Sequence, residues 1–103
     1  MKVRLSVFAE RDLLNILRYT KKVWGLEQGY AYLRLLSLAR DKMVANPFLP
    51  GSKPREDLAS GCRTFRCGKH LFFYRLCDNT VEIARILHES MDFEQHVGEE
   101  TFD

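Results

Sequence analysis

The sequence predicts an α+β domain in the order β-α-α-β-β-β, with a helical hairpin packed on one face of a small, mostly antiparallel sheet. Three observations predict it. Residues 2–8 alternate apolar and polar; residues 9–45 carry apolar positions at spacings of three and four; residues 62–88 return to a strand period, broken only by turn pairs. At 103 residues the chain is expected to form one domain over 1–96, followed by an acidic C-terminal tail over 97–103.

In the first strand Val3, Leu5 and Val7 share a face opposite Lys2, Arg4 and Ser6. Ser6 is an N-cap candidate for the first helix, whose early turns hold Glu10 and Asp12 where the helix dipole favours acids. Ala9, Leu13, Ile16, Leu17, Thr20 and Trp24 form its apolar stripe, and Gly25 ends it. The second helix, over 26–45, shows Tyr32, Leu35, Leu36, Ala39 and Met43 as a main stripe. Leu26, Tyr30, Leu33 and Leu38 lie off that stripe, so this helix has a second apolar side for its own domain or for another chain. Asn46-Pro47 stops it. Residues 46–61, holding all three prolines, predict one irregular loop long enough to require anchoring or a role. Residues 62–67 follow as a strand. Gly68-Lys69 is a tight turn, and residues 70–77 are nearly all apolar, as a central strand covered on both faces requires. Asp78-Asn79 is a hairpin pair. The last strand, 80–88, is expected to place Val81, Ile83 and Leu87 on one face and Ala84, Ile86 and His88 on the other, with Arg85 beside Ile83.

Composition narrows the function classes. No apolar run approaches the ~20 residues of a membrane span, and the charges within Met1-Lys2-Val3-Arg4-Leu5 lead us to expect no signal peptide. Cys62, Cys67 and Cys77 are odd in number and lack CxxC spacing, which points to a reducing, cytoplasmic setting. The net charge of +2 conceals an asymmetry. All 16 Lys and Arg lie within 1–91 against nine acids there, a surplus of seven, while 92–103 hold five acids. That basic body suits an anionic partner as well as an ordinary solvated surface. His70, His88 and His96 are too scattered for a metal site, and no phosphate-binding glycine loop is present, so neither metal nor cofactor is expected.

Five sequence words in this order are similar to the RelE/ParE toxin superfamily. They are Ala9-x-x-Asp12-Leu13-x-x-Ile16, Asn46-Pro47-x-x-Pro50-Gly51, Gly61-x-Arg63, Phe73-Tyr74-Arg75 and Ile83-x-Arg85-Ile86-Leu87-His88-x-x-Met91-Asp92. The resemblance spans residue 3 to about residue 96, and the last word resembles the ParE branch most. The resemblance implies the toxin of a type II toxin–antitoxin module, neutralised by a ParD-like antitoxin and reaching operator DNA only through it. RelE-like relatives cut messenger RNA on the ribosome; ParE-like relatives inhibit DNA gyrase by binding.

RNA cleavage at a 2′-hydroxyl needs a base, an acid and cationic stabilisation. The nuclease branch carries an Arg three residues before the strand tyrosine. Here that tyrosine is Tyr74, and the position holds Leu71; no Tyr follows Tyr74. Arg63, Arg85 and His88 are the residues from which a divergent nuclease would be built. The alternative for them is structural: the arginines pair with acids such as Asp92 or Glu56, and His88 finds a partner at the sheet end. Arg63, Arg66, Lys69 and Arg75, with Trp24 and Tyr30 on the hairpin, are the candidates for target or antitoxin contact. Trp24 has two readings, closing the hairpin core or standing exposed as a contact. Phe72, Phe73 and Tyr74 are expected as core, with base stacking as the other reading. A third functional reading is a homologue that poisons nothing and acts with its antitoxin in operon control.

Overall fold

The computed structural model describes residues 1–102. Ser6 opens the first helix as expected: its hydroxyl accepts from the Ala9 amide at 3.0 Å and donates to the Ala84 carbonyl at 2.6 Å. One side chain therefore caps α1 (Val7–Trp24) and fastens it to the sheet. The preceding strand β1 (Lys2–Leu5) is shorter than its alternation suggests, because Val7 is already helical and exposed. Gly25, at φ 97°, turns the chain directly into α2 (Leu26–Ala45), giving the helical hairpin.

The sheet has five strands in the order β1-β5-β4-β3-β2: β2 is Lys53–Pro54, β3 Arg63–Cys67, β4 His70–Cys77 and β5 Thr80–His88. β1 runs parallel to β5 and the other pairs are antiparallel. The meander and the hairpin match the sequence reading. The two-residue β2, inside the loop expected to be irregular, does not appear in that reading. Pro54 lacks an amide hydrogen and fits there because β2 is the sheet edge. The loop is anchored as its length requires. The buried Tyr74 hydroxyl donates to the Pro47 carbonyl at 2.6 Å and lies 2.7 Å from the Ser52 hydroxyl.

Two apolar clusters cover the two sheet faces. Ala9, Ile16, Leu36, Ala39 and Met43 of the hairpin pack on Phe72, Tyr74, Val81, Ile83 and Ile86. On the opposite face Leu58, Ala59 and Cys62 of the loop, with Val97 and Phe102, pack on Phe73, Ala84 and Leu87. Phe72, Phe73 and Tyr74 are at most 2% exposed, so they are core and no stacking surface. Each such burial contributes about 1.5–3 kcal/mol.

Two expectations are corrected. The segment from residue 97 is no free tail. After α3 (Phe93–His96), capped by Asp92, residues Glu99–Phe102 form a 3-10 helix with Thr101 and Phe102 buried. The apolar side chains in this acidic stretch complete the second cluster; Asp103 lies outside the described residues. The faces of β5 also differ. The register jumps between Phe73↔Arg85 and Tyr74↔Ile83, leaving Ala84 as an extra, bulged residue. Val81, Ile83 and Ile86 consequently share the helical face, and Ala84 and Leu87 the other.

Candidate functional site

The bulge determines what Arg85 does. β1 pairs with β5 only as far as Ile83, so β5 beyond that point is an edge facing α1. Asp12 of α1 fills it: its carboxylate accepts from Arg85 Nε and Nη2, both at 2.9 Å, and from the Ile86 amide at 2.9 Å. Both side chains are at most 16% exposed. Arg85 also donates to the His96 carbonyl at 3.3 Å and lies over the Phe8 ring. It thus joins helix, sheet edge and C-terminal segment through a forked, charge-assisted pair. An acid partner for Arg85 agrees with the structural reading, but the acid is Asp12. Asp92 instead caps α3, and Glu56 accepts from the Gly61 amide.

The other two members of the hypothetical nuclease set are also engaged. Arg63 donates to the Ser52 hydroxyl at 2.8 Å and lies over the Phe48 ring, against the proline-rich loop. His88 Nδ1 accepts from the Ser90 amide at 3.1 Å and lies 2.7 Å from its hydroxyl. Arg85 and His88 border one groove; Arg63 is not among the residues lining it.

That groove, about 890 Å³, runs between the helical hairpin and the far ends of β4 and β5. Ile16, Leu35, Ile86 and Met91 give it apolar walls, and Tyr19 and Trp24 stand at its hairpin end. Trp24 is 68% exposed, so it does not close the hairpin core. Leu35, expected in the main stripe of α2, is exposed and faces the groove. Of the off-stripe residues of α2, Leu33 packs into the core, whereas Leu26, Tyr30 and Leu38 are exposed.

The opposite end of the groove is polar. The Tyr32 hydroxyl accepts from the Lys69 amide at 3.1 Å and lies 2.6 Å from His70 Nδ1. Gly68 permits this approach, since a Cβ there would stand 2.9 Å from the hydroxyl, and its φ of 60° suits glycine. His70 stacks edge-on against His88, with ring centroids 5.3 Å apart. Burial, aided by His88, pushes His70 down to about 4, so the ring is neutral near pH 7. Burial likewise raises the Tyr32 phenol. The Tyr32–His70 pair joins residues 38 apart, and nothing in the local sequence patterns announces it.

The remaining candidate cations divide. Arg66 and Lys69 are exposed and share Glu89, whose carboxyl is held below its usual range chiefly by the Arg66 hydrogen bond. Arg75 is committed to Glu82 and Glu99 and covers the Phe102 ring, which pins the C-terminal segment to the sheet.

Residues 3–93 match the family model described as the ParE toxin of the type II toxin-antitoxin system parDE. The chain belongs to the ParE toxin family. A Caulobacter vibrioides protein named Toxin ParE1 is 38% identical over 95 residues, covering 92% of this chain and 96% of that one. A Mycobacterium tuberculosis Toxin ParE1 is 33% identical, covering 90% of this chain and 94% of that protein. Among solved structures, a chain from "Chromosomal ParDE TA system from P. aeruginosa" superposes with a TM-score of 0.72 at 21% identity, over 85% of this chain and 95% of that one. A chain of the M. tuberculosis RelBE2 toxin–antitoxin complex gives a TM-score of 0.58 at 27% identity, over 84% and 95%. The chain is therefore a ParE-type toxin of a type II toxin–antitoxin system, with the α+β RelE/ParE fold. Among the described residues, no helix is long and apolar enough to cross a membrane.

Proposed function

We propose that this ParE-type toxin inhibits DNA gyrase in the cytoplasm by binding, without chemistry of its own, and that a ParD-like antitoxin holds it silent. The observation that carries the non-enzymatic reading is the commitment of Arg85 to Asp12 across the sheet edge. Arg85, one of the two cations a divergent nuclease would use to stabilise a phosphorane, is engaged in the fold. Arg63 faces a separate loop, and His88 Nδ1 is occupied by Ser90. A nuclease needs such groups free and converging on one reacting atom.

The antitoxin reading draws on the toxin–antitoxin complex named for one of the structural neighbours. It also draws on the groove. An exposed apolar channel of this size, with Trp24 and Tyr19 at one end, fits an amphipathic helix of a second protein. Arg66 and Lys69 at the turn, and Tyr30 on the side of α2 away from the groove, are exposed and available to antitoxin or target.

Controlled expression in a bacterial host tests the reading. Growth arrest with trapped gyrase–DNA cleavage complexes and intact messenger RNA is the expected outcome. Ribosome-dependent messenger RNA cleavage with unimpaired gyrase contradicts it.

A further inference from the structure

The polar end of the groove has a definite hydrogen-bonding polarity. His88 Nδ1 accepts from the Ser90 amide, so the proton of the neutral ring sits on Nε2. Tyr32 already accepts from Lys69, and its hydroxyl is closer to His70 Nδ1, at 2.6 Å, than to the Cys67 carbonyl, at 3.4 Å. Its hydrogen therefore goes to His70, which also leaves that ring protonated on Nε2. The two imidazoles face each other across paired residues of β4 and β5, and both border the groove. Beside them the Lys69 ammonium is 73% exposed, held only at 3.4 Å by a Glu89 carboxylate that Arg66 also neutralises. Arg85 and Asp12 cancel each other. The groove thus ends in ring N–H donors and a surplus cation.

The geometry points to this end of the groove, built from His70, His88 and Lys69, as a carboxylate pocket that reads one acidic side chain of the antitoxin segment lying in the channel. This rests on the antitoxin reading above and goes beyond it in naming the residues that recognise the partner and the chemistry they take. A neutral or basic residue at that position of a non-cognate antitoxin would strand the donors, which makes the pocket a specificity element.

The test uses the purified chain and the purified protein encoded by the adjoining reading frame, with affinity measured by calorimetry at neutral pH. Replacing the antitoxin acids one at a time by their amides should find one position that weakens binding roughly tenfold. His88→Leu and Lys69→Met in the toxin should each weaken the parent antitoxin by a similar factor and lose little more when combined with that amide, because both changes remove the same contact. His88→Gln, which keeps a donor near the Nε2 position, should retain most of the affinity. A tight wild-type complex that no single amide weakens, or losses that simply add in the combined variants, overturns the carboxylate pocket alone. Failure of the wild-type pair to bind overturns the antitoxin reading, and the pocket with it.

Discussion

Replacing Asp12 by Asn tests the claim that Arg85 holds the fold together. The amide keeps the size of the carboxylate and one acceptor but removes the charge. Arg85 is then left in a site only 16% exposed with no counter-ion, and the Ile86 amide competes with it for the remaining oxygen. Removing one partner of a buried pair costs about 3–5 kcal/mol. The slight exposure of both groups brings this one just below that range, to about 2–3 kcal/mol. That is a large share of the roughly 5–15 kcal/mol stability of a small domain. With a urea m-value of about 1–2 kcal/mol/M, the midpoint should fall by roughly 1–3 M with m unchanged. A double substitution, Asp12→Asn with Arg85→Met, should recover part of the loss because no bare charge remains. If Asp12→Asn stays within about 0.5 kcal/mol of the parent, a typical surface effect, the structural role assigned to Arg85 is wrong.

Gly68→Ala should destabilise the fold by about 1–3 kcal/mol, since it combines a positive φ with a Cβ pressed on the Tyr32 hydroxyl; urea titration with near-ultraviolet tyrosine signals would show both effects. His70 is depressed to about 4 from an ordinary 6.5. Its neutral form is favoured by folding, so the associated stability is complete above about pH 6.5 and fades as pH falls toward 4. At about 1.4 kcal/mol per unit, reduced for partial exposure, the loss is roughly 2 kcal/mol, and His70→Gln should weaken that acid limb in pH-dependent unfolding. Burial pushes the Cys62 thiol up to about 12, whereas Cys77 is exposed. A thiol reagent at mildly alkaline pH should modify Cys77 in the native chain and reach Cys62 only on unfolding, as peptide mass mapping would show. Trp24 is the single tryptophan, and its emission should be that of a solvent-exposed indole and shift to the blue when the groove is filled.

Features with a local cause were legible in the sequence. Ser6 caps because a hydroxyl before an apolar-periodic run has a helix amide to satisfy, and Gly25 turns because only glycine takes its φ without strain. The central strand was readable from its nearly unbroken apolar run. The bulge at Ala84 was not, because both faces of residues 81–87 carry apolar side chains and the two charged ones, Glu82 and Arg85, are paired inside the fold and so do not mark a solvent face. That slip mattered most for the site, since it changed the face and the partner of Arg85. Asp12 and Arg85 both stood in the family words, yet they are 73 residues apart and only the folded chain shows them paired. The groove was foreshadowed by the second apolar side of α2, but Trp24 and Leu35 were assigned to helix stripes that turn out broader than the hairpin contact. The buried end of the chain was hidden by the acids around Phe102, whose ring lies under the Arg75 guanidinium.

The central claim is that this ParE-type toxin inhibits gyrase by binding. Its most direct measurement is gyrase supercoiling of relaxed plasmid by purified enzyme, with increasing purified toxin, and again after adding the antitoxin. The account predicts that the toxin lowers supercoiling in proportion to its occupancy of the enzyme, and that the antitoxin restores it. Undiminished supercoiling at saturating toxin, alongside cleavage of messenger RNA on purified ribosomes, would contradict it.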